Sequence, residues 1–194
     1  MREYKYNTKN NFIDGYYLSN LSICDNLIKL FKNSNNKVLG KIGHYNVNKK
    51  IKDSLDLQLN INDINNFPIL DSYFKELSEA INLYKKKYIF CDKEIAKWGI
   101  QHDFNIQKYK PSQAYHGWHC ETSSINSSKR HLVFMTYLND VKKGGETEWY
   151  YQKLKIKPEK GLTFIWSADW TFTHKGHTTI DEDKYIITGW FDYK

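Results

Sequence analysis

The tripeptide His119-Cys120-Glu121 is the sharpest chemical feature of the chain. In an extended segment residues i and i+2 point to the same side, so one imidazole and one carboxylate could meet on a single cation. A lone HxE carries little weight, because a surface His and Glu on an exposed strand face give the same pattern. The C-terminal half changes the weighing. His174 is followed by Gly176 and, ten residues after the histidine, by Lys184, which opens the apolar run Tyr185-Ile186-Ile187. Two neutral imidazoles and one carboxylate make a facial triad suited to Fe(II), with three coordination positions left open. A lysine on the adjoining strand would then pair with the far carboxylate of a chelating diacid in a partly dry pocket. His177 is a rival third ligand. It lies an odd number of positions from His174, so in a strand the two face opposite ways.

Six of the seven histidines lie after residue 100. His131 opens an alternating run and reads as packed or solvated. His102 and His116 belong near a pocket mouth, where exposure explains them as well as substrate binding does. Cys120, between the two ligand candidates, points to the opposite face and reads as a small buried residue. Trp118, Trp149, Trp166, Trp170 and Trp190 read as core and rim rather than as a stacking platform for bases.

Two helices and a set of strands must hold these residues. From Leu18 to Lys32, Leu21, Cys24, Leu27, Ile28 and Phe31 recur at three- and four-residue steps, with Ser19 or Asn20 as a cap. From Pro68 to Tyr88, Leu70, Tyr73, Phe74, Leu77, Ile81, Tyr84 and Tyr88 repeat the pattern behind a Pro suited to a first turn. After Trp98 the period becomes two, over Trp98, Ile100, His102, Phe104 and Ile106. Further strands are expected at His131–Asn139, Leu154–Ile156, Gly161–Trp166, Phe172–Gly176 and Lys184–Asp192, separated by turns at Asn139-Asp140, Lys143-Gly144-Gly145, Pro158-Glu159-Lys160-Gly161 and Asp181-Glu182-Asp183. Many short strands so punctuated predict a jelly roll or sandwich with both helices packed outside.

The chain of 194 residues, 40% hydrophobic and 16% aromatic, has the apolar content for one core, and only 3 Pro and 10 Gly leave no obvious linker. A single domain over 1–194 is expected, with 1–95 as helical and strand support and 96–194 as the jelly-roll core. No apolar run is long enough for a membrane span and the N-terminus is polar, so a cytoplasmic location and no membrane partner are expected. Cys24, Cys91 and Cys120 form no CxxC pair, in keeping with a reducing compartment. The net charge of +7 comes from scattered lysines, and Lys85-Lys86-Lys87 ends a helix where cations complement the dipole, so the charge does not by itself imply nucleic acid. No phosphate-binding glycine loop, nucleophile elbow or Cys-His hydrolase pattern is present, and no element specifies an oligomeric state.

Between about Ile106 and Phe191 an ordered set of elements stands out: Tyr109, His119-Cys120-Glu121, Arg130, Tyr137-Leu138-Asn139, Gly144-Gly145-Glu146-Thr147, His174-Lys175-Gly176, Lys184 and Trp190. In this set the chain resembles the Fe(II)- and 2-oxoglutarate-dependent dioxygenases, specifically the prolyl 4-hydroxylase-like branch, and is most similar to the small versions found in phage genomes. The resemblance implies a mainly β fold with flanking helices, a double-stranded β-helix (jelly roll, cupin-like) core. It implies that His119, Glu121 and His174 bind iron, and favours His174 over His177, because only His174 has Lys184 at the family spacing. It further implies that Lys184 pairs with the distal carboxylate of 2-oxoglutarate, with the hydroxyls of Tyr109, Tyr137 and Thr188 assisting and ascorbate as an accessory reductant. Arg130 and Trp190 match family positions and read as structural, and Gly144-Gly145 as a turn. One departure stands out: the branch usually has Asp where this chain has Glu121.

The expected activity is hydroxylation of a peptidyl or free amino-acid residue, proline first, in the cytoplasm of the host cell if the gene is a phage's. Two alternatives are kept. A nucleic-acid demethylase of the same superfamily is motivated by the positive charge, but those enzymes hold 2-oxoglutarate with Arg, and Lys184 argues against it. A metal-free jelly-roll binding module predicts no Fe(II) affinity. Specificity is expected to lie in loops such as Thr122–Lys129 and in the N-terminal half.

Overall fold

Short apolar runs of period two and two longer ones of period 3.6 divide the chain into strands and helices, and a computed structural model describes residues 1–5, 11–43 and 46–194. In chain order these are β1 (Arg2–Tyr4), β2 (Asp14–Tyr17), α1 (Ser22–Asn33), β3 (Lys37–Leu39), β4 (Leu55–Leu59), α2 (Pro68–Lys87), β5 (Trp98–Gly99), β6 (Phe104–Tyr109), β7 (Arg130–Tyr137), β8 (Thr147–Trp149), β9 (Leu154–Ile156), β10 (Leu162–Ser167), β11 (His174–Gly176) and β12 (Lys184–Tyr193). The strands form two antiparallel sheets. The larger runs β1-β2-β10-β7-β12-β6-β4-β3, with β5 pairing the end of β12, and the smaller runs β11-β8-β9.

Alternation along the central strands explains how one sheet serves two cores. On β7, Leu132 and Phe134 join the helical cluster, whereas Val133, Met135 and Tyr137 join the cluster containing residues of the small sheet. On β12, Tyr185, Ile187 and Phe191 belong to the first and Ile186 to the second. Side chains of period two point alternately to the two faces, so a strand buried on both reads as a nearly continuous apolar run, as Leu132 to Met135 does. Ile23, Cys24, Leu27 and Phe31 of α1 and Leu70, Tyr73, Leu77, Ala80, Ile81 and Tyr84 of α2 supply the helical side. Each fully buried Leu or Phe contributes about 1.5–3 kcal/mol. Phe134 lies near the centre, against Tyr73, Phe74 and Phe191, and truncation to Ala would cost about 3–5 kcal/mol.

The structure revises several expected boundaries. α1 starts at Ser22 rather than Leu18, because Leu18 donates its N–H to the Gly161 carbonyl and the amides of Ser19 and Asn20 are held by the Glu76 carboxylate. Its cap position is Leu21, with no side-chain cap. Asn20 instead accepts from the Ser22 N–H at 3.0 Å. The strand expected from Trp98 is split into β5 and β6, and His102 in the gap is exposed and bonded through Nδ1 to Asp192 at 2.7 Å. Phe172 lies in a 3-10 turn ahead of β11. The expected strands at 131–139, 161–166 and 184–192 are found as β7, β10 and β12, shifted by one or two residues, and Leu154–Ile156 is found as β9. The first half adds strands not anticipated individually: β2 pairs β10, and β4 pairs β6.

Candidate active site

His119 and Glu121 lie in an extended loop rather than in a strand, and tertiary hydrogen bonds straighten it. The N–H of His119 donates to the His174 carbonyl at 3.0 Å and the N–H of His174 returns the bond at 2.9 Å, an isolated bridge beside β11. Two residues on, the N–H groups of Glu121 and Thr122 both donate to the carbonyl of Ala168, just past β10. The segment is thus stretched between β11 and the end of β10, which turns both odd-numbered side chains to the same side. His119 and His174 come together with ring centroids 4.2 Å apart.

Each imidazole is oriented by a backbone carbonyl. His119 Nδ1 lies 3.0 Å from the Gly117 oxygen and His174 Nδ1 lies 2.9 Å from the Phe172 oxygen. A proton on Nδ1 satisfies each contact and leaves Nε2 with its lone pair free, the arrangement a metal-binding histidine needs. Both Nε2 atoms face one carboxylate oxygen: Glu121 Oε1 is 3.6 Å from His119 Nε2 and 3.5 Å from His174 Nε2. The three ligand atoms lie within 4.8 Å of one another. Burial and the neighbouring His174 push His119 down to about 3, and burial also lowers His174, so both rings are neutral near pH 7. Burial works to raise Glu121, but His119, His174, Arg130 and Trp190 outweigh it and hold the carboxyl below its usual range.

The other oxygen of Glu121 is taken. Trp190 on β12 donates its indole N–H to Oε2 at 2.9 Å. Arg130 at the start of β7 reaches the same oxygen at 3.5 Å and the Glu121 backbone carbonyl at 3.0 Å, and its guanidinium lies 3.6 Å from the centre of the Trp190 ring. Arg130 and Trp190, read as structural from the sequence, therefore divide the carboxylate into an anchored oxygen and a free one. A second feature missed by that reading is Tyr115, stacked on His119 at 3.6 Å with rings nearly parallel. Its position four residues before His119 in Tyr115-His116-Gly117-Trp118-His119 was the available signal.

A cavity of about 870 Å3 opens from this cluster and has Lys184 in its lining. Lys184 is buried, and its Nζ donates to the carbonyls of Gly145 at 3.0 Å and His177 at 3.4 Å. No ion pair to Lys184 is found among the described residues. Burial pushes its ammonium down to about 8, with the charge of Glu146 acting in the opposite sense. A buried cation satisfied only by neutral carbonyls favours an incoming anion. Gly144 and Gly145, expected as a turn, make this possible: both have φ of +77°, and a Cβ on Gly144 would lie 2.2 Å from the Thr178 oxygen.

The expected helpers of Lys184 divide. Tyr109 lines the cavity with its ring centre 4.9 Å from Lys184 Nζ, and its hydroxyl donates to Gln107 Oε1 at 2.7 Å. Thr188 also lines it, donating to the Phe134 carbonyl. The Tyr137 hydroxyl goes instead to Thr147 Oγ1 at 2.6 Å, and it is Thr147 that lines the cavity. Behind Tyr109, Gln107 leads to Asp56 of β4, which is paired with Lys52 at 2.6 Å, a buried chain with no local signal in the sequence.

Among the other described histidines none joins the cluster, although His102 lines the same cavity. His177 Nε2 is 2.5 Å from Glu148 Oε2, outside β11. His131 is packed between the Cys91 carbonyl and the Tyr193 hydroxyl, and His116 is exposed. Cys120 is half-buried and borders the cavity rather than lying in the core. The loop Ser123 to Lys129 and the β3 residues Val38 and Leu39 also form the cavity wall.

Residues 104–192 match the family model of the 2OG-Fe(II) oxygenase superfamily. A comparison with curated protein sequences finds no match. Among solved structures, the chain is similar to the viral collagen prolyl hydroxylase of Paramecium bursaria Chlorella virus-1 in complex with 2OG, with a TM-score of 0.69 and 21% identity over 95% of this chain and 98% of that one. It is similar to a Pseudomonas putida prolyl-4-hydroxylase, with a TM-score of 0.70 and 11% identity over 95% and 94% of the two chains. A Trichoplax adhaerens prolyl hydroxylase in complex with a hypoxia inducible factor peptide fragment gives a TM-score of 0.75 at 16% identity over 95% and 84%. The two antiparallel sheets with their helices are thus a jelly-roll-like fold of the 2OG oxygenase type.

Proposed function

We propose that this chain, whose residues 104–192 match the 2OG-Fe(II) oxygenase superfamily, is a dioxygenase that hydroxylates a prolyl residue of a peptide, with Fe(II) and 2-oxoglutarate as its cofactors. The single observation that carries this reading is the convergence of His119 Nε2, Glu121 Oε1 and His174 Nε2 within 4.8 Å, in the wall of the cavity that Lys184 also lines. The donor set fits the metal, since two neutral imidazoles and one carboxylate suit Fe(II) with positions left open. The cation fits the cosubstrate, since Lys184 is buried with carbonyls for company. Proline as the target, rather than a free amino acid, is supported by the prolyl hydroxylases among the structural relatives, one of them bound to a peptide fragment.

His119, Glu121 and His174 would hold the iron, and Lys184 would hold the distal carboxylate of 2-oxoglutarate, with Tyr109 and Thr188 beside it. When bound, the iron and cosubstrate supply the oxidising chemistry, in which 2-oxoglutarate and dioxygen give succinate, carbon dioxide and a hydroxylated substrate. The protein's own part is positional. The carbonyls of Gly117 and Phe172 keep a proton on each Nδ1, and Trp190 and Arg130 keep Oε2 of Glu121 out of the open positions. No side chain is assigned as a general base.

The double-stranded β-helix description of the core, as one oxygenase domain over 1–194, belongs to the same proposal, supported by the small sheet packing on the inner face of the large one. So does a cytoplasmic location, supported by three free cysteines, while no helix among the described residues is long and apolar enough to cross a membrane. The test is anaerobic loading with Fe(II) and 2-oxoglutarate, then admission of oxygen in the presence of a prolyl peptide and assay of succinate and of the peptide's mass. Peptide-dependent succinate with a 16 Da gain is expected. Strong Fe(II) binding without peptide-stimulated turnover would reject the prolyl substrate.

A further inference from the structure

Starting next to His119 in the chain, four exposed aromatic side chains form a continuous strip. Trp118 precedes His119, and its ring meets Tyr150 edge-on at 5.1 Å. Tyr150 meets Tyr151 at 5.1 Å, and Tyr151 meets Trp170 at 5.8 Å. Their exposures are 40, 57, 57 and 64%. Successive rings stand at 85, 81 and 86° to one another. Lys175, next to His174, extends the strip with its Nζ 4.4 Å from the Trp118 ring centre, and it also lines the cavity. Adjacent residues on extended backbone face opposite ways, so the segment that aims the His119 imidazole inward sets Trp118 outside. The hydroxyls of Tyr150 and Tyr151 and the indole N–H groups of Trp118 and Trp170 have no hydrogen-bond partner among the described residues.

Rings at right angles make a ridge-and-notch surface rather than a flat platform, which disfavours base stacking, where rings must offer parallel faces. Notches between aromatic edges, with free donors beside them, suit an extended polyproline II segment, whose pyrrolidine rings project at regular intervals and whose carbonyls stay unpaired. Contiguous exposed aromatics, linked to the cavity wall through Lys175 on the Trp118 ring, are also the signature of a contact surface rather than of random exposure. We propose that Trp118, Tyr150, Tyr151 and Trp170 are a docking strip for a proline-rich stretch of the polypeptide substrate flanking the residue that enters the cavity. The choice of a proline-rich occupant rests on the hydroxylase reading above.

The test uses the full chain and a fluorescein-labelled ten-residue oligoproline, followed by anisotropy, with the variants Tyr150→Ala/Trp170→Ala and, separately, Lys184→Ala. The wild type and Lys184→Ala are expected to bind the probe alike, and the aromatic double variant to bind it about tenfold more weakly or worse. In turnover, the double variant should raise KM for long proline-rich peptides while leaving kcat and the KM for 2-oxoglutarate unchanged, and should leave a three-residue prolyl substrate unaffected. Absence of probe binding by the wild type, equal binding by the double variant, or preferred binding of a ten-nucleotide oligothymidylate at the strip would overturn the proposal. A probe that binds through the strip but is never hydroxylated would reject the hydroxylase reading alone and leave the docking strip standing.

Discussion

Trp190 donates its indole N–H to Glu121 Oε2 at 2.9 Å, and this one bond decides which oxygen of the carboxylate is free to face the two histidines. Glutamate is one methylene longer than the aspartate usual at this position in the branch that the sequence resembles. The added reach is taken up by an anchor on its outer oxygen, from β12 through Trp190 and from β7 through Arg130. The inner oxygen remains 3.5–3.6 Å from both Nε2 atoms.

Removing that anchor should loosen the metal without unfolding the protein. Trp190→Phe keeps the ring under Arg130 but deletes the donor, and is expected to weaken Fe(II) or Co(II) affinity about 10- to 100-fold, the usual effect of losing an outer partner of a ligand. Glu121→Asp should do likewise, because a shorter side chain cannot reach Trp190 and the imidazoles together. Anaerobic metal titration followed by visible spectroscopy of the Co(II) form measures both. Full affinity in Trp190→Phe would show that Arg130 alone orients the carboxylate.

His174→Ala is expected to abolish stoichiometric metal binding, whereas His177→Ala, which removes only the partner of Glu148, should retain it. Calorimetric titration of each variant with Fe(II) under argon distinguishes them. Equal loss in both would return His177 to the ligand set.

Lys184 sets a pH limit on cosubstrate binding. Its ammonium, pushed down to about 8 by burial, loses its proton as pH rises through that value, so affinity for the dianionic cosubstrate should be flat below about pH 7.5 and fall by up to about tenfold per unit above pH 8. A bound carboxylate raises the lysine again and moves the inflection upward. Isothermal titration with 2-oxoglutarate from pH 6.5 to 9.5 reads the curve, and a flat profile across that range would remove Lys184 from the contact.

The same lysine destabilises the protein without its cosubstrate. Between about pH 8 and its ordinary value of 10.5 the unfolded chain holds the proton that the folded chain gives up, so the penalty is full below pH 8 and is relieved as pH rises through that window. Lys184→Met should keep the metal, lose 2-oxoglutarate binding and gain stability on the order of 3 kcal/mol at pH 7. Urea melts with and without 2-oxoglutarate are the check: the cosubstrate should stabilise the wild type and leave the variant unmoved.

Gly144→Ala addresses the turn that holds the Gly145 carbonyl on Lys184. Its φ of +77° and the 2.2 Å approach of a Cβ to the Thr178 oxygen predict a loss of about 1–3 kcal/mol and a rise in KM for 2-oxoglutarate larger than any change in kcat. Thermal melts and steady-state kinetics with 2-oxoglutarate varied read the two effects separately.

Much of this was legible in the chain itself. Residue chemistry offered His119, Glu121 and His174 with His177 as a rival, the family resemblance of the ordered motifs singled out the first three with Lys184, and periodicity placed α1, α2, β9, β10 and β12 to within a few residues, because residue type and period are local properties. Strands β2 and β4 were less visible. They are short, and β4, Leu55–Leu59, draws its identity from pairing with β6 more than from its own pattern. The same limit hid Asp56 and Lys52, whose importance arises only when β4 lies against Gln107.

The amino-acid sequence on its own determined which donors the protein owns and which segments run extended or helical, since ligand softness, charge and side-chain period belong to each residue and its near neighbours. Only the tertiary structure decided how those donors are used. The bridge between His119 and His174, the Ala168 carbonyl that straightens Glu121, and the division of one carboxylate between Trp190 and an open site all join residues tens of positions apart. Such contacts depend on register between strands, and register is set by the packing of both sheet faces at once.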